Sequence, residues 1–105
     1  MVSPEEAKAI ALSFDGTDEK PHFHRTAFTV NKKIFATLLA GDSTLNLMFD
    51  LQTQFIFCPP ESDVIYPVPN KWGLKGATTI NLKKANKKLV MSGLKEAYNL
   101  RLMKK

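Results

Sequence analysis

A single cysteine, Cys58, excludes an intrachain disulfide and suits a reducing compartment. No apolar run approaches the roughly 20 residues needed to cross a bilayer. The opening stretch MVSPEEAKAIALSF is acidic where a secretory leader is basic, so the chain reads as cytosolic. His and Cys are too few for a zinc set of three or four ligands: His22 and His24 alternate onto one face of a strand, and Cys58 is remote from them. Paired carboxylates in an active-site setting are also missing. Glu5 and Glu6 belong to a helix start, while Asp15, Asp18 and Glu19 crowd one loop, so no acid/base constellation exists and the chain reads as non-enzymatic. Cys58, between aromatic residues and two prolines, has no base beside it and reads as a buried or half-buried thiol.

Acid is scarcest at one end. Residues 71–105 hold ten basic residues and only Glu96 as an acid, a net of +9, whereas residues 1–70 hold five basic and nine acidic residues, a net of −4. So steep a gradient makes a positive surface, and positive surfaces attract polyanions. Lysines kept for solubility are the competing explanation.

What is present reads as one domain. A chain of 105 residues with 44% apolar content supports a single small core between two layers of secondary structure. Ser3, Pro4 and Glu6 form a capping box with proline at the first helical position. Ala7, Ile10, Ala11 and Phe14 follow on one face, which predicts a helix over 4–14. Asp15 to Pro21 reads as a polar loop. Residues 22–49 read as three antiparallel strands: HFHRTAFTV, a two-residue turn at Asn31-Lys32, KIFATLLA, a turn at Gly41 to Ser43, and TLNLMF. DLQTQFIFC is open between a short helix capped by Asp50 and a buried strand. DVIYPVP predicts an edge strand, because Pro67 and Pro69 remove donors from a ladder. ATTINL alternates Thr78, Ile80 and Leu82 against Thr79 and Asn81. A long helix follows Asn86, with Leu89, Val90, Leu94, Ala97, Tyr98 and Leu102 as its apolar stripe and Gly93 as a point of close packing.

The segment Lys71-Trp72-Gly73-Leu74-Lys75-Gly76 is not a P-loop: two residues separate its glycines and Ala77 follows the second. Two readings remain for it. In one it is a tight turn with Trp72 packed as a lid on the core. In the other, Lys71 and Lys75 flank a wing on a sugar-phosphate backbone, with Trp72 supporting it. Lys83, Lys84, Lys87 and Lys88 form the densest basic cluster, and Asn86 caps the last helix between them.

Taken in order, PHFHRTAFTVNKKIFATL, LNLMFDLQTQF, YPVPNKWGLKGATTINL and LKEAY resemble the MmcQ/YjbR family over nearly the whole chain. The resemblance implies an α+β fold in two layers, an antiparallel sheet with helices packed on it, and a helix over 51–58. It also implies DNA binding through a double wing of hairpins, with no catalytic residues and no cofactor to carry over. The expected nucleic-acid-binding residues are Lys71, Trp72, Lys75, Lys83, Lys84, Lys87 and Lys88, joined by Arg25, Lys32 and Lys33 of the first hairpin, with weak or no sequence readout. The alternative is a protein-interaction or adaptor domain using the sheet face or the Phe55-Ile56-Phe57 helix, which is more apolar than the family pattern. Membrane and metal partners are not expected.

Overall fold

The computed structural model describes residues 1–103. Six strands form one antiparallel sheet: β1 (Thr17–His22), β2 (Arg25–Val30), β3 (Lys33–Leu39), β4 (Thr44–Met48), β5 (Ile65–Pro67) and β6 (Ala77–Asn81), in the order β1-β2-β3-β4-β6-β5. Helices α1 (Pro4–Leu12), α2 (Leu51–Phe57) and α3 (Lys87–Met103) make the second layer. The fold is a two-layer α+β arrangement. No helix among the described residues is long and apolar enough to cross a membrane.

Each helix starts where the sequence places a cap. The Glu6 amide donates to Ser3 Oγ and the Ser3 amide to Glu6 Oε1, both at 3.1 Å. Hydrogen bonding to the ionised carboxylate from the Ser3 amide first, and from the Ser3 side chain, holds the Glu6 pKa below its ordinary value. Asp50 accepts from the Thr53 amide at 2.8 Å, and Asn86 accepts from the Leu89 amide at 2.8 Å. The Asp50 cap settles residues 51–57 as helix. Helix α1 stops at Leu12, two residues earlier than its apolar pattern suggests. Phe14, beyond the end, stacks on Tyr98 of α3 with ring centroids 5.0 Å apart.

Two expectations for the chain before Val30 are corrected. The Asp15–Pro21 loop is in large part strand β1, paired along its length with β2 from Thr17↔Val30 to His22↔Arg25. As an edge strand exposed to water, it has no apolar alternation to announce it, and Pro21 is tolerated there. The stretch 22–30 is therefore not one strand. It breaks at a two-residue hairpin loop, Phe23-His24, so His22 and His24 do not share a strand face. The Asn31-Lys32 loop is where the sequence puts it, with both residues at positive φ (52° and 66°), as a type I′ turn requires.

One face of the sheet is dry. Phe28, Phe35, Leu38, Leu45, Leu47, Ile80 and Leu82 point into it and meet Ala7, Ile10 and Ala11 of α1 and Val90, Leu94 and Ala97 of α3. Full burial of each large side chain is worth about 1.5–3 kcal/mol. A bulge between Phe28 and Thr29, opposite Phe35, turns both Phe35 and Ala36 inward. Phe35 then meets Tyr98 edge-on at 5.7 Å. Leu102, expected on the α3 stripe, is largely exposed near the helix end.

The 71–76 segment is a corner between β5 and β6 closed by one 3₁₀ turn, Gly73–Lys75. Trp72 is not its lid: the indole is 62% exposed. The anchor is Gln54 of α2, whose side-chain amide donates to the carbonyls of Gly73 (2.8 Å) and Ala77 (3.0 Å). A Cβ at Gly73 would lie 1.8 Å from the Val68 carbonyl oxygen. Gly76 sits at φ 118°, with Phe49 O at 2.3 Å from where a Cβ would be. Gly93 also packs closely, but against side-chain methyls: Leu47 Cδ1 at 2.8 Å and Ile80 Cδ1 at 3.3 Å from a Cβ position.

Substitutions separate these contacts. Gly73→Ala meets backbone that cannot yield and costs about 3 kcal/mol in urea denaturation. Gly93→Ala meets methyl groups that can rotate and gains about 1 kcal/mol of helix propensity, so the two effects leave it within about 1 kcal/mol of neutral. Gln54→Leu removes two side-chain hydrogen bonds, leaving the Gly73 carbonyl with the Gly76 amide and the Ala77 carbonyl with the Val68 amide, and costs about 1–2 kcal/mol, with the loss of corner order read from Trp72 fluorescence anisotropy.

Candidate functional site

The second face of the sheet carries no helix. Its floor is a cross-strand row in which Ala27, Thr37, Asn46 and Thr79 lie side by side, flanked by Lys20 on β1 and Tyr66 on β5. The row is stitched by side chains. Thr79 Oγ1 donates to Asn46 Oδ1 at 2.7 Å, and Arg25 donates from Nε to Thr37 Oγ1 at 2.9 Å and from Nη2 to Thr37 O at 3.3 Å. Arg25 is half-buried. Burial pulls its guanidinium below its ordinary value, Asp42 acts against that at longer range, and an arginine stays charged regardless.

Over this floor lies an open basin of about 770 Å³. Five cationic side chains border it: Lys20, Arg25, Lys32, Lys33 and Arg101. Among the described residues, no carboxylate does. Asn46 and Asn70 add amides, and His22, Phe23 and Trp72 add flat rings. Arg101 reaches it from the last turn of α3, with Nε donating to the Ile34 carbonyl at 2.8 Å. Lys32 and Lys33 come from the β2–β3 hairpin, and Lys20, His22 and Phe23 from the β1–β2 hairpin. Trp72 is a partition. It also lines a neighbouring hollow of about 470 Å³ with Lys75, Asp50 and Met103. The Lys75 ammonium stands 5.5 Å from the indole centroid, a cation–π contact.

The expected binding residues therefore fall into two groups. Arg25, Lys32, Lys33 and Trp72 share the basin, with Lys75 just across the indole. Lys71 is exposed on the same corner and does not line the basin. Lys83, Lys84, Lys87 and Lys88 lie past the other end of β6, a strand of five residues and about 16 Å. There, Lys84 is paired with Asp63, which holds the Asp63 carboxyl below its ordinary pKa. The dense cluster and the basin are separate surfaces.

Sequence reasoning missed Lys20, Phe23, Asn46 and Arg101. The alternation Asn46, Met48 against Leu45, Leu47 already marked a polar sheet face, and following it across neighbouring strands collects Asn46, Thr37 and Lys20. Phe23 was hidden because the stretch 22–30 reads as continuous strand. Arg101 was hidden because a basic residue in a last helical turn is ordinary.

Elsewhere, Cys58 ends α2 half-buried, and burial pushes its thiol up, with the nearby Thr78 side chain acting weakly the other way, the opposite of an activated nucleophile. Phe55 and Ile56 of α2 stand 85% and 71% exposed, while Phe57 turns in against Phe49 at 4.9 Å. Comparison with protein-family models, with curated proteins and with solved structures gives no match for this chain.

Proposed function

We propose that this chain is a non-catalytic, MmcQ/YjbR-like DNA-binding module that holds its ligand in the basin of the open sheet face. The observation that carries the reading is the charge of that basin: among the described residues, five cations from four elements converge on it and no carboxylate lines it. Burying Arg25 without an ion pair among the described residues is a cost that an arriving phosphate would recover. The contacts are to phosphate and the readout of sequence is weak, because no helix is presented to a groove. Lys83, Lys84, Lys87 and Lys88 contribute long-range attraction, in keeping with their place on another surface.

The second reading, a protein-interaction domain, is supported by Phe55 and Ile56, two large apolar side chains that α2 leaves in water. A Phe55→Ser/Ile56→Ser double variant that binds DNA like the parent keeps the two surfaces apart.

Fluorescence anisotropy across a salt series tests the first reading. Log K falls linearly with log salt, with a slope of about −4.5 on duplex DNA if about five phosphates are neutralised. Lys32→Glu/Lys33→Glu lowers affinity at least about tenfold for every sequence and flattens the slope by about 2, whereas Lys83→Glu/Lys84→Glu lowers it less. Absence of binding at ~50 mM salt sinks the reading. Lys32→Gly gives opposite signs in two measurements. It relieves a left-handed lysine, raising stability by about 0.5–1 kcal/mol, and it weakens DNA binding severalfold.

A further inference from the structure

Building on the nucleic-acid reading, we propose that the basin takes single-stranded DNA, with Phe23 and Trp72 as base-stacking platforms at its opposite margins. The two residues belong to loops attached to opposite edges of the sheet: Phe23 joins β1 to β2, and Trp72 joins β5 to β6. Six strands at about 4.8 Å spacing set those edges about 24 Å apart, room for a short run of extended nucleotides.

Three observations favour a single strand over a duplex. First, Phe23 is 90% exposed at the tip of a two-residue hairpin, at φ 59°. A bulky residue at positive φ is a backbone outlier, and glycine is the usual occupant of such a turn position. A phenyl ring held in water at that position buries almost nothing; among the described rings it meets His22, edge-on at 4.9 Å. Second, Trp72 is exposed, with Lys75 over its ring on the side of the smaller hollow and the basin beyond it, so a face remains for a base. Third, the cations are set low. Arg25 is held down on Thr37 and Arg101 on the Ile34 carbonyl, both half-buried. In a duplex the bases are stacked on one another and unavailable to these rings, and the phosphates sit on a wide rigid cylinder. A single strand can splay its bases onto the rings and lower its backbone onto the arginines.

Trp72 is the chain's only tryptophan, so its fluorescence reports this site alone. The probes are oligothymidylate of about 12 nucleotides, an abasic strand of equal length, a duplex of equal length and oligouridylate. Oligothymidylate is expected to quench Trp72 and to bind about tenfold more tightly than the abasic strand or the duplex, and no less tightly than oligouridylate, with a salt slope nearer −0.7 per phosphate. Phe23→Ala is expected to lose about tenfold on oligothymidylate and nothing on the abasic strand, and Phe23→Tyr to retain binding. Circular dichroism of both variants should match the parent, as the side chain is outside the core. Equal binding of thymidylate, abasic strand and duplex overturns the single-strand assignment and leaves the DNA reading standing. Tighter binding of oligouridylate moves the site to RNA and overturns the commitment to DNA. Failure of every nucleic acid to bind removes both, and leaves the exposed α2 face as the functional surface.

Discussion

Everything in this fold follows from burying one face of a six-stranded sheet and not the other. Helices α1 and α3 supply enough apolar surface to cover β2, β3, β4 and β6 on one side. That burial forces strict alternation in the strands: Leu45 and Leu47 inward with Asn46 and Met48 outward, Thr78 and Ile80 inward with Thr79 outward. A one-residue slip would exchange the faces, so the polar row beneath the basin is fixed as firmly as the core. The hydroxyl of Thr78, the one polar group carried to full burial by this alternation, is satisfied locally by donating to the Gly76 carbonyl at 2.8 Å.

The second constraint is the corner before β6. A β5 of three residues is too short to hold a loop in place by ladder bonds alone. The side chain of Gln54, two carbonyls and two glycines do so instead, and the hydrogen bond from the Ala77 amide to the Trp72 carbonyl at 3.1 Å closes the turn. Because the backbone is held this way, the indole of Trp72 is released from any packing duty and can stand at the margin of the basin. The corner's anchor and its exposed ring thus belong to different elements, Gln54 to α2 and Trp72 to the β5–β6 loop.

Much of this was legible in the chain. Capping residues announced α1 and α3 to within a few positions, and alternation announced β3, β4 and β6. The prolines of YPVP announced an edge. Strand β1 was not legible, because an edge strand facing water on both sides has no apolar period to detect: TDEKPH alternates nothing. The role of Trp72 was misjudged for a related reason. A lone tryptophan beside two glycines reads as an apolar plug, and only the three-dimensional position of Gln54, 19 residues from Gly73, shows that the plug is unnecessary. The basic third of the sequence was equally misleading as a guide to place. Linear charge density peaks at Lys83 to Lys88, yet the basin, with no carboxylate among its described lining, is assembled from Lys20, Arg25, Lys32, Lys33 and Arg101, five residues spread over most of the chain.

The distribution of backbone cost points the same way. Through most of the chain, local preference and global fold agree: caps are Ser, Asp and Asn, and the tightest corner uses glycine. Five non-glycine residues take positive φ. Asn31 tolerates it by residue type, and Ser43 follows a 3₁₀ turn whose end it caps. Phe23, Lys32 and Glu61 are the poorly suited ones; Phe23 and Lys32, an aromatic and a long cation in two-residue turns where glycine is favoured, border the basin, while Glu61 lies in the loop after α2. Each conformation costs about 1–2 kcal/mol relative to glycine's freedom, and no core contact returns it. Two of the three poorly suited positions thus fall at the hairpin tips around one cationic hollow. Under the proposed nucleic-acid reading, the ring and the ammonium held there are the groups that would meet bases and phosphates.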